Sequence, residues 1–222
     1  MFRWSLVQLS ALYVLGSMLV GVNLTKAVES PVAFVTLEEA IARGTPADVE
    51  RLLDADSGAI NRIGVTKLSP LHQAILRRKS ATVLLLLSRG ADINLADTAG
   101  RTPLHLAVER NDAAALTALL ERKADLLRRD RVGWTPLHHA AAKNLLPLAK
   151  LLLDHGAPPN ALSELGGTAL HEAAAGAGPE MVRLLLERGT DPKIRSKPGV
   201  TALDLAREFN NARAIEILEA VH

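Results

Sequence analysis

A period of thirty-three residues runs through this chain and restricts what it can fold into. Leu71, Leu104, Leu137, Leu170 and Leu203 stand thirty-three apart, each preceded by Pro70, Pro103, Pro136, Ala169 or Ala202. The next column reads His72, His105, His138, His171 and then Asp204. Ser69, Thr102, Thr135, Thr168 and Thr201 lead the motif. Gly100, Gly133, Gly166 and Gly199 come two residues earlier, with Lys67 breaking that column. Gly90, Gly156 and Gly189 close their units, with Lys123 the exception. Such a register argues for a row of like modules, each burying its apolar face on the next.

Each unit reads as two helices and a turn. In the unit starting at Asp97, Thr102 is a helix cap and Pro103 fills the first turn, where a missing N–H is harmless. Leu104, Ala107 and Val108 make a small apolar face, and Asn111-Asp112 interrupts the helix. A second helix carries Leu116, Leu119 and Leu120 at helical spacing. Leu151–Leu153 and Leu184–Leu186 repeat it. Such leucine-rich faces need a neighbouring unit to cover them. The closing glycines supply a left-handed residue that ends a helix. The composition agrees: aromatic residues are 3% of the chain, so aliphatic side chains must fill the core.

The fold class is therefore all-α, a solenoid of stacked helix–turn–helix units with projecting β-turn fingers. Full units span 64–96, 97–129, 130–162 and 163–195. Residues 37–63 have the second-helix pattern without the Pro-Leu-His motif, and Glu38 and Glu39 fall near where Leu and His would stand. They read as an N-terminal cap with a polar outer face, solvation being the plain reading of the two carboxylates. Residues 196–222 read as a C-terminal cap.

The first residues have a different character. Arg3 precedes a mostly apolar run from Leu6 to Val22, and Thr25 and Ala27 put small residues where a signal peptidase reads. Residues 1–27 are expected to be a secretory signal cleaved after Ala27, with 28–36 a short linker. The alternative is an uncleaved membrane anchor, for which the apolar run is short and diluted. The chain has no cysteine, which excludes disulfides and thiolate chemistry and makes a bacterial periplasm the expected compartment. Loss of Arg3 and Lys26 leaves 24 basic and 24 acidic residues. A net charge of zero provides no field for nucleic acid.

The segments "DTAGRTPLHLAVERND" and "DRVGWTPLHHAAAKN" resemble the ankyrin repeat, with a looser match in "SELGGTALHEAAAGAG" and "SKPGVTALDLAREFN". "GVTKLSPLHQAILRRK" lacks the turn glycine. The resemblance extends from about Leu37 to the end of the chain. It implies that His72, His105, His138 and His171 are structural, each bonded to its Thr or Ser and tethering a neighbouring turn. It also implies a protein-binding module without cofactor, expected to be a monomer.

The residues themselves argue the same way. A catalytic group works once, in a unique setting, whereas these imidazoles recur. Stacked units lie about 10 Å apart, so two column histidines cannot both sit about 2 Å from one metal ion. His139 and His155 fall off the period and read as solvated. No phosphate loop, His-Glu-x-x-His or nucleophile elbow is present. Neither an enzyme nor a metal site is expected.

The ankyrin resemblance implies binding on the finger positions and the free ends of the first helices. The finger positions run Val65, Thr66, Leu68; Thr98, Ala99, Arg101; Arg131, Val132, Trp134; and Glu164, Leu165, Gly167. The helix ends are Leu76, Arg77, Glu109, Arg110, Ala142, Lys143, Ala175 and Gly176. Trp134 is predicted to stand exposed beside Arg101, Arg110, Arg131 and Lys143, a basic patch suited to an acidic partner. Arg77-Arg78-Lys79 reads as a solvated bend.

Overall fold

The computed structural model describes residues 34–221. The expected signal at 1–27, most of the linker and the final histidine lie outside the described residues. Those residues form twelve α-helices and no strand.

The helices come in pairs. The pairs are α1 Leu37–Arg43 with α2 Pro46–Ala55, α3 Pro70–Leu76 with α4 Ser80–Ser88, and α5 Pro103–Glu109 with α6 Ala113–Glu121. They continue as α7 Pro136–Ala142 with α8 Leu146–Asp154, α9 Ala169–Gly176 with α10 Pro179–Glu187, and α11 Ala202–Glu208 with α12 Ala212–Glu219. A 3₁₀ turn, Ser57–Asn61, follows α2. The first helices of successive pairs pack on one another, and so do the second helices.

Local chemistry explains the first helices. The N–H of Thr102, Thr135 and Thr168 donates to Nδ1 of the histidine three residues on, and the hydroxyls of Ser69 and Thr201 accept the backbone N–H of His72 and Asp204. Thr36 does the same for α1, so the last residue of the expected linker belongs to the cap unit. The first helices stop after two turns because a left-handed residue follows: Arg78, Asn111, Asn144 and Asn210 have φ of 54°, 50°, 52° and 55°. Asparagine tolerates this region. At the corresponding place in the fifth pair, α9 runs on to Gly176 and Ala177 keeps a negative φ.

The second helices end at Gly90, Gly156 and Gly189, with φ near +85 to +90°. Lys123, at φ 61°, adopts the same geometry without glycine's freedom. Lys67 does likewise at φ 58°, in the finger where the other units have Gly100 or Gly133.

The core is one layer of aliphatic side chains. Ala74, Ala107, Ala140, Ala173 and Ala206 are wholly buried and let the first helices approach closely. Leu86, Leu119, Leu152 and Leu185 are buried on the second helices. Covering each such leucine contributes about 2 kcal/mol, and every one is covered from an adjoining unit as well as its own.

The fingers join edge to edge. The Asp97 N–H donates to the Arg101 carbonyl at 2.9 Å, and the Asp130 N–H to the Trp134 carbonyl at 3.0 Å. Between fingers, the Arg131 N–H donates to the Ala99 carbonyl and the Glu164 N–H to the Gly133 carbonyl. A second ladder runs below the second helices. The side-chain oxygens of Asn61, Asn94 and Asn160 accept the N–H of Asp92, Asp125 and Asp191, at 2.7, 2.9 and 2.8 Å. The missing rung would join Leu127 to Pro158, a residue with no side-chain oxygen to offer and a residue with no N–H to give.

Candidate functional site

The four repeated imidazoles make one bond inside their unit and one to the next. Nδ1 of His72, His105, His138 and His171 lies 2.7, 2.9, 2.7 and 3.1 Å from the hydroxyl of Ser69, Thr102, Thr135 and Thr168. Nε2 faces the carbonyls of Arg101, Trp134, Gly167 and Val200 in the following finger, at 3.1–3.2 Å. A carbonyl only accepts, so Nε2 carries the proton and Nδ1 presents its lone pair to the hydroxyl. Burial pushes all four imidazoles below the usual histidine range, His138 to about 4, against the opposing pull of the carbonyl bond. They stay neutral at neutral pH and lie one per unit. No cluster of three His, Asp or Glu side chains suited to a metal ion occurs among the described residues.

The finger bases add a second column. Asp97 Oδ1 accepts the N–H of Ala99 and Arg101, and Asp130 Oδ1 accepts those of Val132 and Trp134. The other carboxylate oxygen differs between units. Asp97 Oδ2 takes two bonds from the Arg101 guanidinium, which also donates to Glu109 at 2.9 Å. Asp130 Oδ2 lies 2.7 Å from His139 Nε2. Burial raises both aspartates, but bonds from Arg101 and its backbone for Asp97, and from the Trp134 N–H and His139 for Asp130, outweigh it and leave both acidic.

His139 is thus buried and paired, not a solvated side chain. The Trp134 ring meets it edge-on at 5.0 Å, and the His105 ring does so at 5.7 Å. Trp134 is consequently half-buried and not a free-standing exposed ring. The sequence offered no clear clue to this, since the column one period apart reads Gln73, Leu106, His139, Glu172 and Leu205, with no fixed polarity.

The expected basic patch also changes. Arg101 is held by two carboxylates. Arg110 donates to the Leu76 carbonyl at 3.1 Å, and Lys143 reaches the Glu109 carbonyl at 3.5 Å. Arg78 reaches forward to the Arg110 carbonyl and Lys79 back to that of Gly44, so that bend is not merely solvated. These cations close the C-terminal ends of neighbouring helices, where unbonded carbonyls and the negative end of the dipole attract them. Of the four patch side chains, that of Arg131 alone has no bonded partner among the described residues.

The finger tips remain open. Val132 and Leu165 are 64% and 65% exposed, with Arg131, Glu164 and Thr98 exposed beside them. Gly167 stands where the other fingers carry Leu68, Arg101, Trp134 and Val200.

The family model for ankyrin repeats (3 copies) matches residues 37–130, 71–161 and 127–196. The chain belongs to the ankyrin repeat family. It is similar to the crystal structure of EF0377, an ankyrin repeat protein, at 28% identity over 82% of this chain and 96% of that one, with a TM-score of 0.75. No curated protein matches. Ankyrin repeats are in general protein–protein interaction modules, and the fold is typically non-catalytic. Partner choice in such an array resides in side chains the scaffold leaves free, since the repeat pattern itself carries only the fold.

Proposed function

We propose that this ankyrin array is a non-catalytic adaptor or protector that binds a partner protein through its finger tips and the adjoining first-helix ends. The observation that carries this reading is the exposed pair Val132 and Leu165 on successive fingers. Neither side chain fills a core, and adjacent apolar tips edged by Arg131 and Glu164 have the make-up of an interface centre with a polar rim. The half-buried Trp134 ring, two residues from Val132 on the same finger, is set against His139. With Arg101, Arg110 and Lys143 engaged inside the array, the partner need not be strongly acidic.

The signal-like composition of residues 1–27 supports a periplasmic site of action, where the protein is proposed to work as a monomer. An uncleaved leader would instead tether the same array to the inner membrane. N-terminal sequencing of the mature protein separates the two, a start at Val28 favouring release.

A photo-crosslinking residue at position 132, expressed in the native compartment, should give one dominant protein adduct. Val132→Asp with Leu165→Asp should abolish it while the helical circular dichroism and melting temperature stay within a degree or two of the parent. An adduct that survives the double substitution excludes this surface.

A further inference from the structure

The three middle fingers are built alike, yet each fills the space between finger and first helix differently. Before α5, Arg101 binds the Asp97 and Glu109 carboxylates at 2.8 and 2.9 Å. Before α7, the same finger position holds the Trp134 ring, 5.0 Å from His139, which in turn reaches Asp130 at 2.7 Å. Before α9, Ser163 stands at the place of the two aspartates, Gly167 at that of Arg101 and Trp134, and Glu172 at that of His139. The Ser163 hydroxyl is taken by the Gly167 N–H at 3.2 Å. Glu172 is left with nothing. It is half-buried, and burial raises its carboxyl with no cation and no hydrogen bond acting against that. Asp97 and Asp130 are buried too, but their bonds hold them acidic.

The space beside Glu172 is open as well. Trp134 and His139 touch, so the corresponding Gly167 and Glu172 adjoin, and Gly167 has no side chain to lay across the carboxylate. Ala142 and Ala175 are short where α5 has Glu109, and a Cβ on Gly176 would meet nothing within 4 Å. Helix α9 packs on α7 and α11, whose residues one period from Glu172 are His139, already engaged with Asp130, and Leu205. A half-buried carboxylate without a partner is unfavourable in its charged form. The array itself shows what completes such a place, since Arg101 spans from its finger to a carboxylate on the first helix. A guanidinium is planar, weakly hydrated and able to give two parallel bonds to a carboxylate, which suits a half-buried slot better than an ammonium group does.

We infer that the slot left by Gly167 receives an arginine side chain of the bound partner protein, its guanidinium pairing with Glu172 as Arg101 pairs with Glu109 inside the array. The inference rests on the protein-binding reading above and deepens it. The partner presents its arginine to the finger that carries Leu165, beside the apolar tips.

The test uses the purified chain, labelled with ¹³C and ¹⁵N, and two small probes. Nα-acetyl-arginine methylamide should move the Glu172 carboxyl and Gly167 amide resonances saturably, with a dissociation constant on the order of 10 mM. The citrulline analogue keeps the shape without the charge and should bind more weakly by roughly tenfold. Glu172→Gln should weaken the arginine probe to the same degree, read at the Gly167 amide. Gly167→Arg supplies the guanidinium from within; a Cβ at that place lies 3.5 Å from its nearest neighbour, an ordinary contact. It should lower the titration midpoint of Glu172, keep the melting temperature at or above that of the parent, and exclude the probe. In the native compartment both variants should cut the adduct at position 132 severalfold. Equal response to both probes, no saturation with the arginine probe, or an undiminished adduct in both variants would overturn the inference and leave the reading at Val132 standing. A parent chain that gives no adduct at all overturns that reading and this inference with it.

Discussion

Acidifying the protein from pH 7.5 to pH 5 should weaken it through the histidine column, and His138 sets the scale. Its imidazole titrates at about 4 in the folded array because burial disfavours the charged form. In the unfolded chain the same group titrates near 6.5. A folded value below the unfolded one means that the stability is fully present above about pH 6.5 and is lost as pH falls toward about 4. Linkage gives a loss of about 2 kcal/mol at pH 5 from His138 alone, rising to about 3 kcal/mol by pH 4. His72, His105 and His171 are shifted in the same direction by the same cause and add to it. Glu172 works against them, since burial raises its carboxyl and acid relieves that group. Asp97 and Asp130 are held below 3.8 and lose their contribution only at lower pH, outside this window. Urea denaturation followed by far-ultraviolet circular dichroism at the two pH values measures the loss, and the ring protons of His138 report its titration. His138→Asn removes the titrating group, lowers the stability at pH 7.5 by breaking the bond to Gly167, and should shrink the acid-induced loss by about 2 kcal/mol. A stability that is flat between pH 7.5 and 5, or a folded His138 titrating near 6.5, would refute the reasoning.

Lys67 and Lys123 hold positive φ where the repeat otherwise has glycine, so Lys67→Gly and Lys123→Gly should each raise stability by roughly 0.5–1 kcal/mol in urea melts. Gly133 is the opposite case. A Cβ there would lie 2.2 Å from that of Glu164 and 2.8 Å from its backbone nitrogen, at φ +82°, so Gly133→Ala should cost about 2–3 kcal/mol in the same assay. Leu127→Asn and Pro158→Ala should be strongly non-additive. Only the double variant can form the missing asparagine rung, and a double-mutant cycle should show about 1 kcal/mol of favourable coupling.

The scaffold was legible because its determinants are short-range. A Thr hydroxyl bonds three residues away, a proline sets its own φ, and a left-handed glycine ends its own helix. Repeating those signals at one period leaves little freedom in the fold, and the His105 and His138 rings fall beside Thr102 and Thr135 in any such helix. The expected leader at 1–27 rests on composition alone and lies outside the described residues. The candidate site was less legible. Arg101, Arg110, Arg131 and Lys143 look alike in sequence, yet Arg101 pairs with Asp97 and Glu109 while Arg110 and Lys143 reach carbonyls 34 residues back.

By itself, then, the chain's order of residues determined the unit, its caps, its turns and the stack that keeps the leucines dry, because each depends on partners a few positions away or on an identical neighbour. Tertiary structure alone decided which polar side chains remain available. Glu38 is drawn to Gln73, Asp130 takes His139 where Asp97 takes Arg101, and Val132 and Leu165 are left facing solvent. Long charged side chains bond to whatever carbonyl or carboxylate the next unit brings within about 3 Å, and that proximity exists only once the units are stacked.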